Sequence, residues 1–114
     1  MKTILVVDNN LDVLKMIETA LSGFGFVVRQ ASSGIEALEI FRSEPVHFVL
    51  LDVQMPEMNG PQTLAEIKRI NPKVTCVFMS SSAESSRVAG AGGFLQKPFS
   101  LEELRKMIVA KTTE

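Results

Sequence analysis

The sequence predicts an α/β domain built on a parallel β-sheet. Three observations carry that prediction. Five short runs of consecutive apolar residues recur along the chain, too short for helices and rich in β-branched and aromatic side chains. Segments with helical apolar spacing lie between them. The runs are continuous rather than alternating, which marks strands buried on both faces. Right-handed crossovers between parallel strands then give the order β-α-β-α-β-α-β-(α)-β-α.

The first strand is Ile4–Val7. Leu14, Ile17 and Leu21 follow at i, i+3 and i+7, one face of a helix. Asn9 or Asn10 can cap it, and Asp12 falls in its first turn, where the helix dipole favours an acid. Gly23 and Gly25 end it, and the second strand is Phe26–Val28. Ile35, Leu38 and Phe41 repeat every three residues, behind a Ser33–Glu36 capping box. The Ser43–Pro45 segment stops that helix, and Phe48–Leu51 is the third strand. Leu64 and Ile67 mark a third helix, with Pro61 at its first residue, where no amide hydrogen is needed. Asn71-Pro72 closes it. Val74–Met79 and Phe94–Leu95 are the last two strands. Leu101, Leu104 and Ile108 form the stripe of the final helix, opened by a Ser100–Glu103 capping box, and the polar tail after Lys111 is expected to fray. The connection from Ser81 to Gly93 is different. Val88 is its one bulky apolar residue, its serines favour turns, and Gly90, Gly92 and Gly93 raise the entropy cost of order. At most one helical turn, around Glu84–Ala89, is expected there.

A chain of 114 residues is one domain's length, and residues 1–114 are read as a single domain. Composition excludes several functions. Lys plus Arg is 12 against 13 Asp plus Glu, so no basic excess exists to hold a phosphate backbone, and nucleic acid is not expected as a partner. No apolar run approaches the ~18–20 residues that span a bilayer, so no membrane is expected. Ile4–Val7 is too short for a signal-peptide core, which points to the cytoplasm. One cysteine, Cys76, excludes an internal disulfide and a Cys-based zinc cluster; it lies in an apolar run and reads as inert core. The lone His47 excludes a His-cluster metal site and reads as a surface or edge residue.

The residues that end the strands carry the chemistry. The first run ends at Asp8, the third at Asp52, the fourth at Ser80 and the fifth at Lys97. In an open parallel sheet these carboxyl ends share one edge, where ligands bind at the topological switch point. Each residue alone is ordinary: a turn former, a cap or a solvated charge. Together they form a set. Two carboxylates offer hard oxygen to Mg2+. A carboxylate can be a nucleophile that forms an aspartyl phosphate, and a lysine and a hydroxyl can hold phosphoryl oxygens.

Ile4-Leu5-Val6-Val7-Asp8, Leu50 through Gly60 (with Asp52 and Met55-Pro56 inside it) and Phe94-Leu95-Gln96-Lys97-Pro98-Phe99 resemble the receiver domain of bacterial two-component response regulators over the full chain. The resemblance implies a flavodoxin-like (βα)5 fold: a doubly wound five-stranded parallel sheet in the order 2-1-3-4-5, here with a shortened or missing fourth helix. It implies that Asp52 accepts a phosphoryl group from a histidine kinase or phosphotransfer protein. Mg2+ would be held by Asp8, Asp52, the Gln54 backbone carbonyl and, weakly, Asn9. Lys97 would pair with the phosphoryl group, Ser80 would donate its hydroxyl, and Ser80 with Phe94 would form the switch. The Lys97–Pro98 bond would be cis. Such a domain is no enzyme in its own right; it assists its own phosphorylation and dephosphorylation. Nothing follows Glu114, so the chain resembles the stand-alone, chemotaxis-regulator-like type without an output domain, acting on a downstream protein target.

Three features depart from the family pattern. Asn9 stands where a second acid is usual; its carbonyl can coordinate, without charge. Ser80 and Ser81 compete for the hydroxyl position, and alternation lets only one face the site; Ser80 directly follows the apolar run. The stretch from Ser80 to Lys97 is shorter than the norm by about one helical turn. A loose segment there would be ordered by phosphorylation or by a partner, and its loss of surface favours a monomer. The alternative function is a degenerate receiver that binds proteins without phosphorylation. A flavin or nucleotide binder ranks lower, because Asp8-Asn9-Asn10-Leu11 offers no glycine-rich phosphate loop. A phosphatase with an Asp nucleophile needs an acid where Asn10 stands.

Overall fold

The computed structural model describes residues 2–82 and 92–112. The elements are β1 (Thr3–Val7), α1 (Leu11–Ser22), β2 (Val27–Ala31), α2 (Gly34–Ser43), β3 (Phe48–Asp52), α3 (Gly60–Ile70), β4 (Thr75–Ser80), β5 (Gly93–Gln96) and α4 (Leu101–Thr112). All strand pairings are parallel and the sheet order is β2-β1-β3-β4-β5. This is the expected order. The turn of helix expected around Glu84–Ala89 lies outside the described residues.

The continuous apolar runs are buried on both faces because helices cover both. Leu5, Val7, Val49, Leu51, Cys76 and Phe78 point to α2 and α3, meeting Leu38, Phe41, Leu64 and Ile67. Ile4, Val6, Phe48, Leu50, Val77 and Met79 point the other way, meeting Leu14, Ile17 and Leu21 of α1 and Leu104 and Ile108 of α4. Adjacent residues serve opposite cores, so each strand feeds both. Each fully buried Leu, Ile or Phe contributes ~1.5–3 kcal/mol of hydrophobic stabilisation.

The local details correct several expectations. β2 runs on to Ala31 through Arg29 and Gln30, which the apolar run did not cover. It is an edge strand, so polar side chains cost it nothing, and Arg29 pairs with Glu44 at 2.7 Å. Asn10, not Asn9, caps α1, accepting from the Asp12 amide at 2.9 Å. At α2 the Ser33 hydroxyl accepts from the Glu36 amide, but Glu36 reaches back to the Ser32 amide, one residue earlier than a capping box requires. The Ser100–Glu103 box is complete. Helix α3 starts at Gly60, so Pro61 is its second residue, and Asn59 and Gln62 form a capping box there. Ile35 and Leu101, members of two predicted stripes, are 52% and 48% exposed. Ile35 lies in the first turn of α2 and Leu101 is the first residue of α4, and burial falls instead on Gly34, Ala37, Leu38 and Phe41 in α2 and on Leu104 and Ile108 in α4. Among the described residues no helix is long and apolar enough to cross a membrane.

Candidate functional site

The parallel register delivers Asp8, Asp52, Ser80 and Lys97 to one edge of the sheet. Val7, the end of β1, pairs with Leu51, so Asp8 and Asp52 emerge side by side. Asp8 is fixed by its own amide, which donates to the Ala31 carbonyl at 3.1 Å. Asp52 pairs with Met79, and Ser80 pairs with Gln96. The Lys97 amide continues that ladder, donating to the Ser80 carbonyl at 2.8 Å. The Lys97–Pro98 bond is cis, as expected.

Both carboxylates are buried, Asp8 1% and Asp52 6% exposed. A buried charge needs partners, and Lys97 is the shared one. Its ammonium donates to Asp8 Oδ2 at 2.5 Å and lies 3.7 Å from Asp52 Oδ1. Asp8 Oδ1 accepts from the Asn10 amide at 2.9 Å, while Asp52 Oδ1 accepts from the Gln54 amide at a longer 3.4 Å. Asp8 is thus the better satisfied acid. Asp52 carries the imbalance: burial, and then the nearby Asp8 charge, raise its pKa above 3.8, and Lys97 and the Gln54 amide only partly offset them. Two carboxylates against one ammonium leave the site net negative. That donor set fits Mg2+, which takes one or two carboxylates and keeps several waters. Among the described residues no group of three His, Cys, Asp or Glu gathers for a metal ion.

The other expected residues lie as follows. Ser80 is buried, and its hydroxyl accepts from the Ser82 amide at 3.0 Å; Ser81 is exposed. The buried hydroxyl of the serine run is therefore Ser80. Asn9 is exposed beside Asp8, and Gln54 is exposed beside Asp52. Phe94 is half-buried in β5, opposite Phe78, and packs on the α2–α3 core. His47 is exposed, and its Nδ1 accepts from the Thr3 amide at 3.0 Å, far along β1 from Asp8. Cys76 is fully buried, and burial pushes its thiol up to about 12, which leaves it unreactive. An apolar cleft of about 290 Å³, lined by Val13, Met16, Ser81, Lys97, Pro98 and Phe99, opens beside Lys97.

The backbone conformation of the loop that follows Asp52 was not legible in the sequence. Glu57 has a positive φ of 67°, within a tight turn closed by the Met58 amide on the Pro56 carbonyl at 2.8 Å. Gly60 packs directly on the Asp52–Val53 backbone. The Asn59–Gln62 cap was open to detection, because an Asn followed three residues later by Gln is a helix-start signature.

The chain is similar to known proteins in sequence and in fold. Residues 4–109 match the response regulator receiver domain. The transcriptional regulatory protein ZraR of Escherichia coli (strain K12) is 39% identical over 107 residues, covering 90% of this chain and 24% of that protein. The sensor kinase CckA of Brucella abortus is 38% identical over 109 residues, covering 90% of this chain and 12% of that protein. This chain therefore spans about a quarter or less of either relative. Among solved structures, the chemotaxis protein CheY4 of Vibrio cholerae superposes with a TM-score of 0.92 at 26% identity, covering 97% of this chain and 98% of that one. The response regulator protein TrrA of Thermotoga maritima, in complex with Mg2+ and BeF, gives 0.89 at 26% identity, covering 96% and 98%. With its strand order, its strand-end residues and a family match across nearly its whole length in agreement, the chain belongs to the response regulator receiver domains of two-component signalling.

Proposed function

We propose that Asp52 is the phosphoacceptor of this receiver domain and that Asp8, Lys97 and Ser80 serve its chemistry. The carrying observation is the ammonium of Lys97 standing between two buried strand-end carboxylates, 3.7 Å from Asp52 Oδ1. An Asp52 carboxylate oxygen attacks phosphorus, the O–P bond forms, and the bond from phosphorus to the donor breaks as the electron pair leaves with the donor group. Asp52 needs to be ionised for this, and Lys97 together with the Gln54 amide supports the ionised form. Lys97 then needs only a short shift from Asp8 to reach a phosphoryl oxygen. Ser80 supplies a hydroxyl donor at the end of the neighbouring strand. Asp8, Asp52, the Gln54 carbonyl and the neutral Asn9 would hold Mg2+, which neutralises phosphoryl charge when bound. Proton chemistry at the donor is left to the donor, and the domain is a substrate of transfer rather than an enzyme. Phe94, packed on the core beside β4, is the partner of Ser80 in relaying the change.

A histidine kinase or phosphotransfer protein supplies the phosphoryl group, and a downstream protein reads it, in the cytoplasm. The formal net charge of −1 favours a protein reader over nucleic acid. We read the domain as a monomer. The test is intact mass after treatment with acetyl phosphate and Mg2+. One phosphoryl group, labile to hydroxylamine and absent from Asp52→Asn, is the expected result. An Asp52→Asn protein that takes up the same group overturns the assignment, and a wild-type protein that takes none favours the phosphorylation-independent interaction module.

A further inference from the structure

We propose that Gly60 is a positioning residue for Asp52: its missing Cβ lets the start of α3 rest on the Asp52–Val53 backbone and thereby sets where the Asp52 carboxylate stands. The inference rests on Asp52 being the acceptor. Gly60 is not needed for an unusual backbone angle; Gly25 is the glycine with positive φ among those described. What Gly60 provides is space. A Cβ built there would lie 2.7 Å from the Asp52 carbonyl oxygen, 2.7 Å from Val53 Cα and 3.2 Å from Phe78 Cε1. Carbon contacts are comfortable near 3.5 Å, so some part would have to move by roughly 0.8 Å.

Nothing on the far side of that contact yields easily. The start of α3 is held by the reciprocal Asn59–Gln62 bonds at 2.9 and 3.0 Å. The Gly60 amide donates to the Val53 carbonyl at 2.9 Å, and the Val53 amide donates to the Met79 carbonyl at 3.0 Å. Val53 is thus tied to α3 on one side and β4 on the other. Phe78 is fully buried. The contact bears on the Asp52 main chain, and a shift there is carried to its carboxylate, which is held by longer contacts, 3.4 Å to the Gln54 amide and 3.7 Å to Lys97. Sites lose rate steeply for misplacements on this scale.

The experiment compares Gly60→Ala with Leu64→Ala, a core truncation on the same helix that adds no atom near Asp52. Two readouts are taken at matched folded fraction: the rate of phosphorylation by acetyl phosphate, and the chemical shift at one fixed pH of the Asp52 backbone carbonyl in 13C-aspartate-labelled protein. Gly60→Ala is expected to slow phosphorylation at least ~10-fold and to move the Asp52 carbonyl signal, with Leu64→Ala changing the rate by no more than ~2-fold and leaving that signal in place. Wild-type values for Gly60→Ala, or equal changes in Leu64→Ala, overturn the proposal. If Gly60→Ala does not fold, Asn59→Ala replaces it, since losing the cap loosens the same seat; a moved Asp52 carbonyl signal supports the proposal and an unmoved one overturns it. If the wild-type protein takes no phosphate, the acceptor assignment fails by itself, and the carbonyl signals still decide whether Gly60 positions Asp52.

Discussion

Asp8 and Asp52 share one ammonium unequally, and that inequality has consequences for both acids. Burial and the Asp8 charge raise the Asp52 pKa above 3.8, so the folded protein holds that proton to higher pH than the unfolded chain does. The contribution of Asp52 to stability is fully present below 3.8 and is lost as pH rises through the raised folded value. Asp52→Asn is therefore expected to raise the melting temperature of the metal-free protein near pH ~7, with the gain shrinking toward pH ~4. Thermal melts across that range in a chelator check it; a gain that grows on acidification contradicts the sign. Asn9 is exposed next to Asp8 and brings no charge. Asn9→Asp is expected to tighten Mg2+ at least ~10-fold in calorimetry and to lower the metal-free melting temperature modestly. No change in either places Asn9 beyond the ion's reach. These residues were legible in the sequence because each directly ends or follows an apolar run, and parallel strands deliver their ends to one edge. The unequal sharing was not legible, since it depends on where one flexible lysine side chain settles.

At the level of elements, the loop from Asp52 to α3 holds the strained position, Glu57 at φ 67°. A side chain with a Cβ pays ~1–2 kcal/mol there, and a β-branched one pays more. Glu57→Gly is expected to be neutral or stabilising by up to ~1 kcal/mol, and Glu57→Val to destabilise by ~1–2 kcal/mol, in urea unfolding. Equal effects from the two would show that the turn relaxes without strain. Ser100→Ala is expected to cost ~0.5–2 kcal/mol by removing the acceptor of the Glu103 amide at the start of α4. The Ser100–Glu103 cap read well from sequence because the chemistry is local, whereas the choice of Asn10 over Asn9 came only with the structure. Strand β2 read poorly. Arg29 and Gln30 lie in an edge strand, where pairing from one side suffices and no apolar pattern is enforced. Ile35 and Leu101 show the same limit in the first turn of a helix, where spacing names a stripe but not how far burial follows it.

The molecule as a whole is one sheet between two cores, and no strand belongs to only one of them. Leu50 faces α1 and α4, and its neighbour Leu51 faces α2 and α3. Leu50→Ala and Leu51→Ala are each expected to cost ~2–5 kcal/mol and to leave one cooperative transition, the same by circular dichroism and by near-neighbour NMR signals from both faces. Two separated transitions would mean that the faces melt independently. Overall topology was legible because alternation and the family motifs agree, whereas the sharing of every strand between both cores follows from the register alone. The ion pair between Lys97 and Asp8 spans 89 residues of chain. Contacts this distant in sequence form late, after the entropy of closing the intervening loops has been met. Among the described residues the ammonium beside Asp8 and Asp52 is that of Lys97, so the two acids, synthesised first, meet it only once β5 has docked. The final strand thus brings the charge that settles the site. A nascent chain, or one clipped ahead of β5, is therefore expected to be mute in signalling, so that readiness to receive a phosphoryl group doubles as a check that synthesis has run through Lys97.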